Sequence, residues 1–129
     1  RLREEKPMRR GTVGLPLGLN MYENLFFWVE FFHSLQMNVV ISDLSSRALY
    51  AKGQYSVPSD TACYPAKLMH GHIENLLDQG VDTIFYPCMS YNFDEQKGDN
   101  HFNCPVVAYY PELLASNVEK LKSVRYLHI

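Results

Sequence analysis

Long apolar runs are missing from this chain of 129 residues. The longest, Leu25-Phe26-Phe27-Trp28-Val29, stops at Glu30, far short of the ~20 residues of a membrane-spanning helix. A strong excess of either charge is missing too. A net charge of −2 gives no basis for binding nucleic acid or an anionic membrane surface. Cysteine is scarce and odd in number, three in all, and no signal-peptide pattern opens the sequence. Both features disfavour a disulfide scaffold and point to a reducing cytoplasm. No glycine-rich motif is present to cradle a phosphate, and no nucleophile elbow frames a serine. Internal repeats and low-complexity tracts are also absent.

What remains reads as an ordinary globular composition, 47% hydrophobic and 20% charged. Residues 1–10 are basic and polar and lack an initiator Met. They are expected to be a linker, and 11–129 a single domain cut from a longer polypeptide. Apolar runs at 12–15, 37–41, 81–86 and 105–109 predict strands, and 126–129 a fifth. Helical patterns are expected over 21–36, from Asn20 as cap with Glu23 in a capping box. Further helices are expected from Ser42 through Tyr50, ended by Gly53, from Ser59 or Asp60 to Gly80, and from Pro111 to about Ser123. Strands alternating with helices predict a three-layer, doubly wound, mostly parallel α/β sheet of the Rossmann or flavodoxin-like kind. The first helix, with Tyr22, Phe26, Phe27, Trp28, Phe31 and Phe32, is apolar nearly all round. That predicts one face on the sheet and a second against another domain.

The three cysteines carry the chemistry. Cys63 opens the helix after Ser59, Cys88 ends the run 81–86, and Cys104 stands before the run 105–109. All fall at the ends of elements, where α/β folds build their sites. Along the helix, Ala66, Met69, Ile73, Leu76 and Leu77 form the stripe expected to face the sheet. Cys63, Lys67, His70 and Glu74 form a second stripe, and His72 points away from both. A thiol in a helical first turn, aligned with a lysine and a histidine, is favoured as thiolate, the form that ligates iron or zinc. Intervals of 25 and 16 residues between the cysteines are too long for a zinc ribbon or a bacterial ferredoxin signature. They suit ligands drawn from separate loops. Cys104 is the awkward member. If 105–109 is a parallel strand, its start lies at the edge opposite Cys88.

Gly14-Leu15-Pro16, Leu19-Asn20-Met21-Tyr22-Glu23-Asn24, Pro58-Ser59-Asp60, Cys63-Tyr64-Pro65-Ala66-Lys67, His70-Gly71-His72-Ile73 and Phe85-Tyr86-Pro87-Cys88 together resemble a known family. It is the domain of unknown function that follows the ATPase modules in large activators of 2-hydroxyacyl-CoA dehydratases. That domain is similar in turn to the dehydratase subunits and to double-cubane cluster proteins. The resemblance covers about Gly11 to Asn117. It implies a 4Fe-4S cluster on Cys63, Cys88 and Cys104 with one iron left open. It also implies an actin-like ATPase module of the same polypeptide as the source of electrons, a dehydratase or other cluster-bearing domain as partner, and an anaerobic cell. Lys67 and His70 are assigned a supporting electrostatic role on the helix geometry alone. Two other functions stay open. Cys63, Cys88, Cys104 and His101 would make a closed Cys3His zinc site. A cofactor-free docking module would use the aromatic first helix. No activity is expected of the isolated fragment.

Overall fold

The computed structural model describes residues 10–129; apart from Arg10, the expected linker lies outside them. Four strands form one sheet: β1 (Thr12–Leu15), β2 (Asn38–Ile41), β3 (Thr83–Phe85) and β4 (Arg125–Leu127). Their order is β2-β1-β3-β4 and every pairing is parallel. The helices are α1 (Leu25–Ser34), α2 (Arg47–Gly53), α3 (Tyr64–Asp78) and α4 (Pro105–Asn117).

Side chains alternate across a strand, and the contacts show which helix covers which face. Phe85 meets Trp28 and Phe32 of α1, ring centroids 4.6 and 5.1 Å apart. Leu76 of α3 packs over Gly14 on the other face. On that face too, the Tyr126 hydroxyl donates to the Pro111 carbonyl of α4 at 3.0 Å. The result is three layers: α1, the sheet, then α2, α3 and α4. The core gathers Val13, Leu15, Met69, Ile73, Leu76, Ile84, Tyr86 and Leu114, all fully buried. Among the described residues no helix is long and apolar enough to cross a membrane.

The chain leaves β1 toward β2, then crosses back over β1 to reach β3. This reversal puts a topological switch point between the carboxyl ends of β1 and β3, the place where open α/β sheets bind ligands.

Several expected elements move. The run 105–109 is the start of α4, not a strand. Pro105 takes the first helical position, where its missing N–H costs nothing. Pro111, expected to begin a helix, lies inside this one. The β-forming run Val106-Val107-Ala108-Tyr109-Tyr110 is overridden because Ala108, Pro111, Leu114 and Val118 align as a buried helical stripe. The segment around Asn20 is a short 3₁₀ turn, Leu19–Met21, and α1 begins only after Asn24. Asn20 therefore caps nothing. α3 starts at Tyr64 rather than at Ser59 or Asp60, and Cys63 is its N-cap. Gly80, with φ +74°, terminates that helix as expected.

Gly53 does not end α2 by a left-handed turn. Its backbone lies against α3: a Cβ on Gly53 would sit 2.2 Å from the Gly71 nitrogen, and one on Gly71 would sit 2.1 Å from the Leu49 carbonyl oxygen. The two helices touch backbone to backbone, which only glycine allows.

Candidate metal centre at the carboxyl edge of the sheet

Cys63 and Cys104 play matching parts. Each is the N-cap of its helix in extended backbone, with ψ 152°, and neither side chain caps a backbone N–H. α3 and α4 lie side by side, joined by a hydrogen bond of 2.8 Å between His70 Nε2 and the Tyr110 hydroxyl. His70 lies seven residues beyond Cys63 and Tyr110 six beyond Cys104. At a rise of about 1.5 Å per residue, each N-cap lies roughly 10 Å from that bond along its own helix. Each helix leads into the next strand of an all-parallel sheet, so both turn their free first-turn N–H groups toward its carboxyl edge.

That edge is also where β3 ends. Cys88 follows it, its N–H donating to the Ile129 carbonyl at 3.2 Å. Burial pushes the Cys88 thiol above its ordinary range; a hydrogen bond from the Glu112 backbone N–H acts the other way, and the Glu112 charge adds to the rise. Because 105–109 is helical, Cys104 comes to the same edge as Cys88 and not to the opposite one. Cys63 and Cys104 are exposed and Cys88 half-buried, and all three are free thiols.

Two buried tyrosines lie beneath the thiols. The Ser56 hydroxyl donates to the Gly53 carbonyl at 3.1 Å and so accepts from His70 Nδ1 at 2.7 Å. That assignment leaves His70 Nε2 without a proton, so it accepts from the Tyr110 hydroxyl. Burial lowers His70 to about 4, so the imidazole is neutral near pH 7. The positive charge expected of His70 is therefore absent; the side chain ties α3 to α4 instead. Burial, with the Cys63 charge adding to it, pushes Tyr110 up to about 12. Tyr86 is raised further, first by burial and then by Cys88, Tyr110 and Cys104. Its hydroxyl is buried and has no hydrogen-bond partner among the described residues.

The switch point adds Asn20. Leu19 before it holds φ +47°, a conformation that a branched side chain rarely adopts. The Asn20 amide nitrogen donates to the Met89 sulfur at 2.9 Å, which links the loops after β1 and β3. Its carbonyl oxygen is buried without a donor.

As a donor set, three thiols at one edge, two helix N-termini and an unpartnered hydroxyl suit an anionic, thiolate-bound group. They are not drawn together around one ion. Among the described residues, no three His, Cys, Asp or Glu side chains are grouped to hold a metal.

A family model, the CoA enzyme activase uncharacterised domain, matches residues 12–128. The chain belongs to this family. No curated protein and no solved structure matches it.

In this activase domain, the Lys67 ammonium donates to the Asp60 carbonyl at 2.7 Å. His101 faces Asp94 at 3.4 Å, in the loop that closes on itself through a Tyr91–Phe102 bridge. His72, on neither of the two stripes, is fully buried. Ser42 meets its Nδ1 at 2.7 Å and Ser45 its Nε2 at 3.0 Å, while Ser42 also accepts from the Leu17 N–H. Burial lowers it to about 4, against a smaller upward pull from Asp43. Glu74, on the stripe with Cys63, is buried as well. It accepts from Tyr55 and pairs with Lys120 at 2.7 Å. An apolar cleft of about 560 Å³ runs between the turn before α3 and the flank of α4, lined by Pro58, Ala62, Pro105, Val106, Tyr109 and Leu113 among others. The activase domain thus carries site features the sequence reading missed: Tyr86, Tyr110 and Asn20. Phe85-Tyr86-Pro87-Cys88 was the available signal for Tyr86, a polar aromatic within an apolar run beside a thiol.

Proposed function

We propose that this activase domain transfers electrons through a 4Fe-4S cluster held at the carboxyl edge of the sheet by Cys63, Cys88 and Cys104. One observation carries the reading. Two helices begin at the carboxyl edge of the sheet at cysteines whose side chains make no cap, and the third cysteine follows the strand that ends at the same edge. Thiolates bound to iron keep a negative charge, and two helix N-termini facing one edge favour that charge. To hold a cluster, the three thiols would have to close around it. Cys63 and Cys104 are free to turn inward because no hydrogen bond holds their side chains. Bound there, the cluster supplies one-electron redox chemistry. An actin-like ATPase module of the same polypeptide is the electron source on this reading, and a dehydratase or other cluster-bearing domain the recipient.

Anaerobic iron and sulfide reconstitution tests this. About four irons per chain with a broad visible charge-transfer band are expected, and both should be lost in Cys63→Ala. Stoichiometric zinc in colourless protein would put the domain in a structural role. No metal under strict anaerobic handling would sink the cluster reading and favour a docking module.

A further inference from the structure

The loop after β3 carries three aromatic side chains that the core does not use. Tyr91, Phe93 and Phe102 are 54%, 88% and 71% exposed. Apolar rings left open together mark a surface that receives something. The loop holds them in fixed places. Its two arms pair through the Tyr91–Phe102 bridge. The Asn92 N–H donates to the His101 carbonyl at 2.8 Å, and the Asn103 N–H to the Ser90 carbonyl at 3.1 Å. The Asn92 and Asn103 side chains bond each other in both directions, at 2.8 and 3.2 Å. Between this loop and the loop after β1 lies a cleft of about 600 Å³, the size of a small-molecule site. It opens at the switch point between β1 and β3. Tyr91 and Phe102 line it as two rings nearly at right angles, centroids 5.1 Å apart and planes at 87°. Phe93 lines it as well, and Glu23 lines it from the other loop.

Charge selects what the cleft takes. Its two loops hold four carboxylates, Glu23, Asp94, Glu95 and Asp99, against one lysine, Lys97. Lys97 is taken up by Glu95 at 3.0 Å, and His101 faces Asp94 at 3.4 Å. Glu23 forms no ion pair among the described residues. An anion would meet repulsion here. The carboxylates are not grouped for a metal ion either. A carboxylate beside open aromatic faces fits an organic cation, which the rings attract through their negative faces. We propose that the switch-point cleft binds a small organic cation, a protonated or quaternary amine, against Tyr91, Phe93 and Phe102, with Glu23 as its counter-charge. This site is independent of the cluster reading.

The test is a titration of the isotope-labelled chain with choline, followed through backbone amide chemical shifts. Its partner titration uses the neutral isostere of choline in which carbon replaces the nitrogen. Choline should move the amides of residues 23–24 and 89–103, and the neutral isostere should bind about tenfold more weakly. Phe102→Leu and Glu23→Gln change exposed side chains, so both should melt with the wild type while binding choline about tenfold more weakly. Phe102→Trp should bind at least as tightly as the wild type, because indole offers a cation the strongest face. Equal affinity for choline and its neutral isostere would overturn the proposal and leave a merely apolar cleft. So would shifts confined to other parts of the chain, or none at about 20 mM choline, a concentration that fills a millimolar site.

Discussion

His70 and His72 sit on one turn of α3, both fully buried and both lowered to about 4 by desolvation. Unfolded, each titrates near 6.5. Between those two values the unfolded chain binds protons that the folded chain does not. Stability is therefore complete above about pH 6.5, falls as the pH drops through that window, and levels below about 4. The loss should be on the order of 2 to 3 kcal/mol for each histidine. Urea unfolding at pH 7.5 and pH 4.5 measures it. His72→Gln should remove about half of the pH dependence, and a stability unchanged between the two pH values would contradict the neutral assignment. Neither role was legible in the sequence. His70 aligned with Cys63 on a helical wheel, which says nothing of the tyrosine that α4 brings against it. His72 pointed away from both stripes on the wheel, which contained neither the loop after β2 nor the Gly18 turn that cover it.

The helices α2 and α3 depend on the contact between Gly53 and Gly71. Gly71→Ala would drive a methyl into the Leu49 carbonyl at 2.1 Å, a backbone atom that cannot turn aside. Overpacking of this kind costs about 1–3 kcal/mol and sometimes more, and the upper end is expected here. Gly98→Ala, with nothing within 4 Å of the added carbon, should change stability by less than ~0.5 kcal/mol. Thermal melts of the two variants decide the matter, and equal melting temperatures would refute the tight crossing. The sequence reading placed the end of α2 at Gly53, where the helix does stop, but did not show the contact with α3. The misreading of 105–109 has a local source. Val106, Val107, Tyr109 and Tyr110 favour strands locally, and Pro111 looked like a helix start. What decides the segment is the buried stripe 108, 111, 114 and 118, a spacing that runs through the proline.

For the whole molecule, the parallel α/β architecture was legible because strands and helices alternate with clear punctuation, and because Gly80 marks the end of α3. The three cysteines were legible as ends of elements. Their common edge was not, since it depends on Cys104 starting a helix and not a strand. The aromatic first helix lays one face on the sheet, as its sequence predicts. Phe32 packs on the sheet, while Phe26 is 84% and Phe27 61% exposed. Phe26→Glu should therefore alter the unfolding free energy by no more than ~0.5 kcal/mol. A denaturant titration checks this, and a loss of 2 kcal/mol or more would mean the ring is packed in solution.

The hydrogen bond from the Cys88 N–H to the Ile129 carbonyl has a practical side. Residue 129 lies on the thiol edge, while β1 begins at the edge opposite. A reporter or affinity tag joined after Ile129 would be tethered at the edge where the cysteines lie, where a polyhistidine tail would compete with them for any added metal. The same tail placed ahead of Gly11 hangs from the far side of the sheet, with the full length of the strands between it and the thiols.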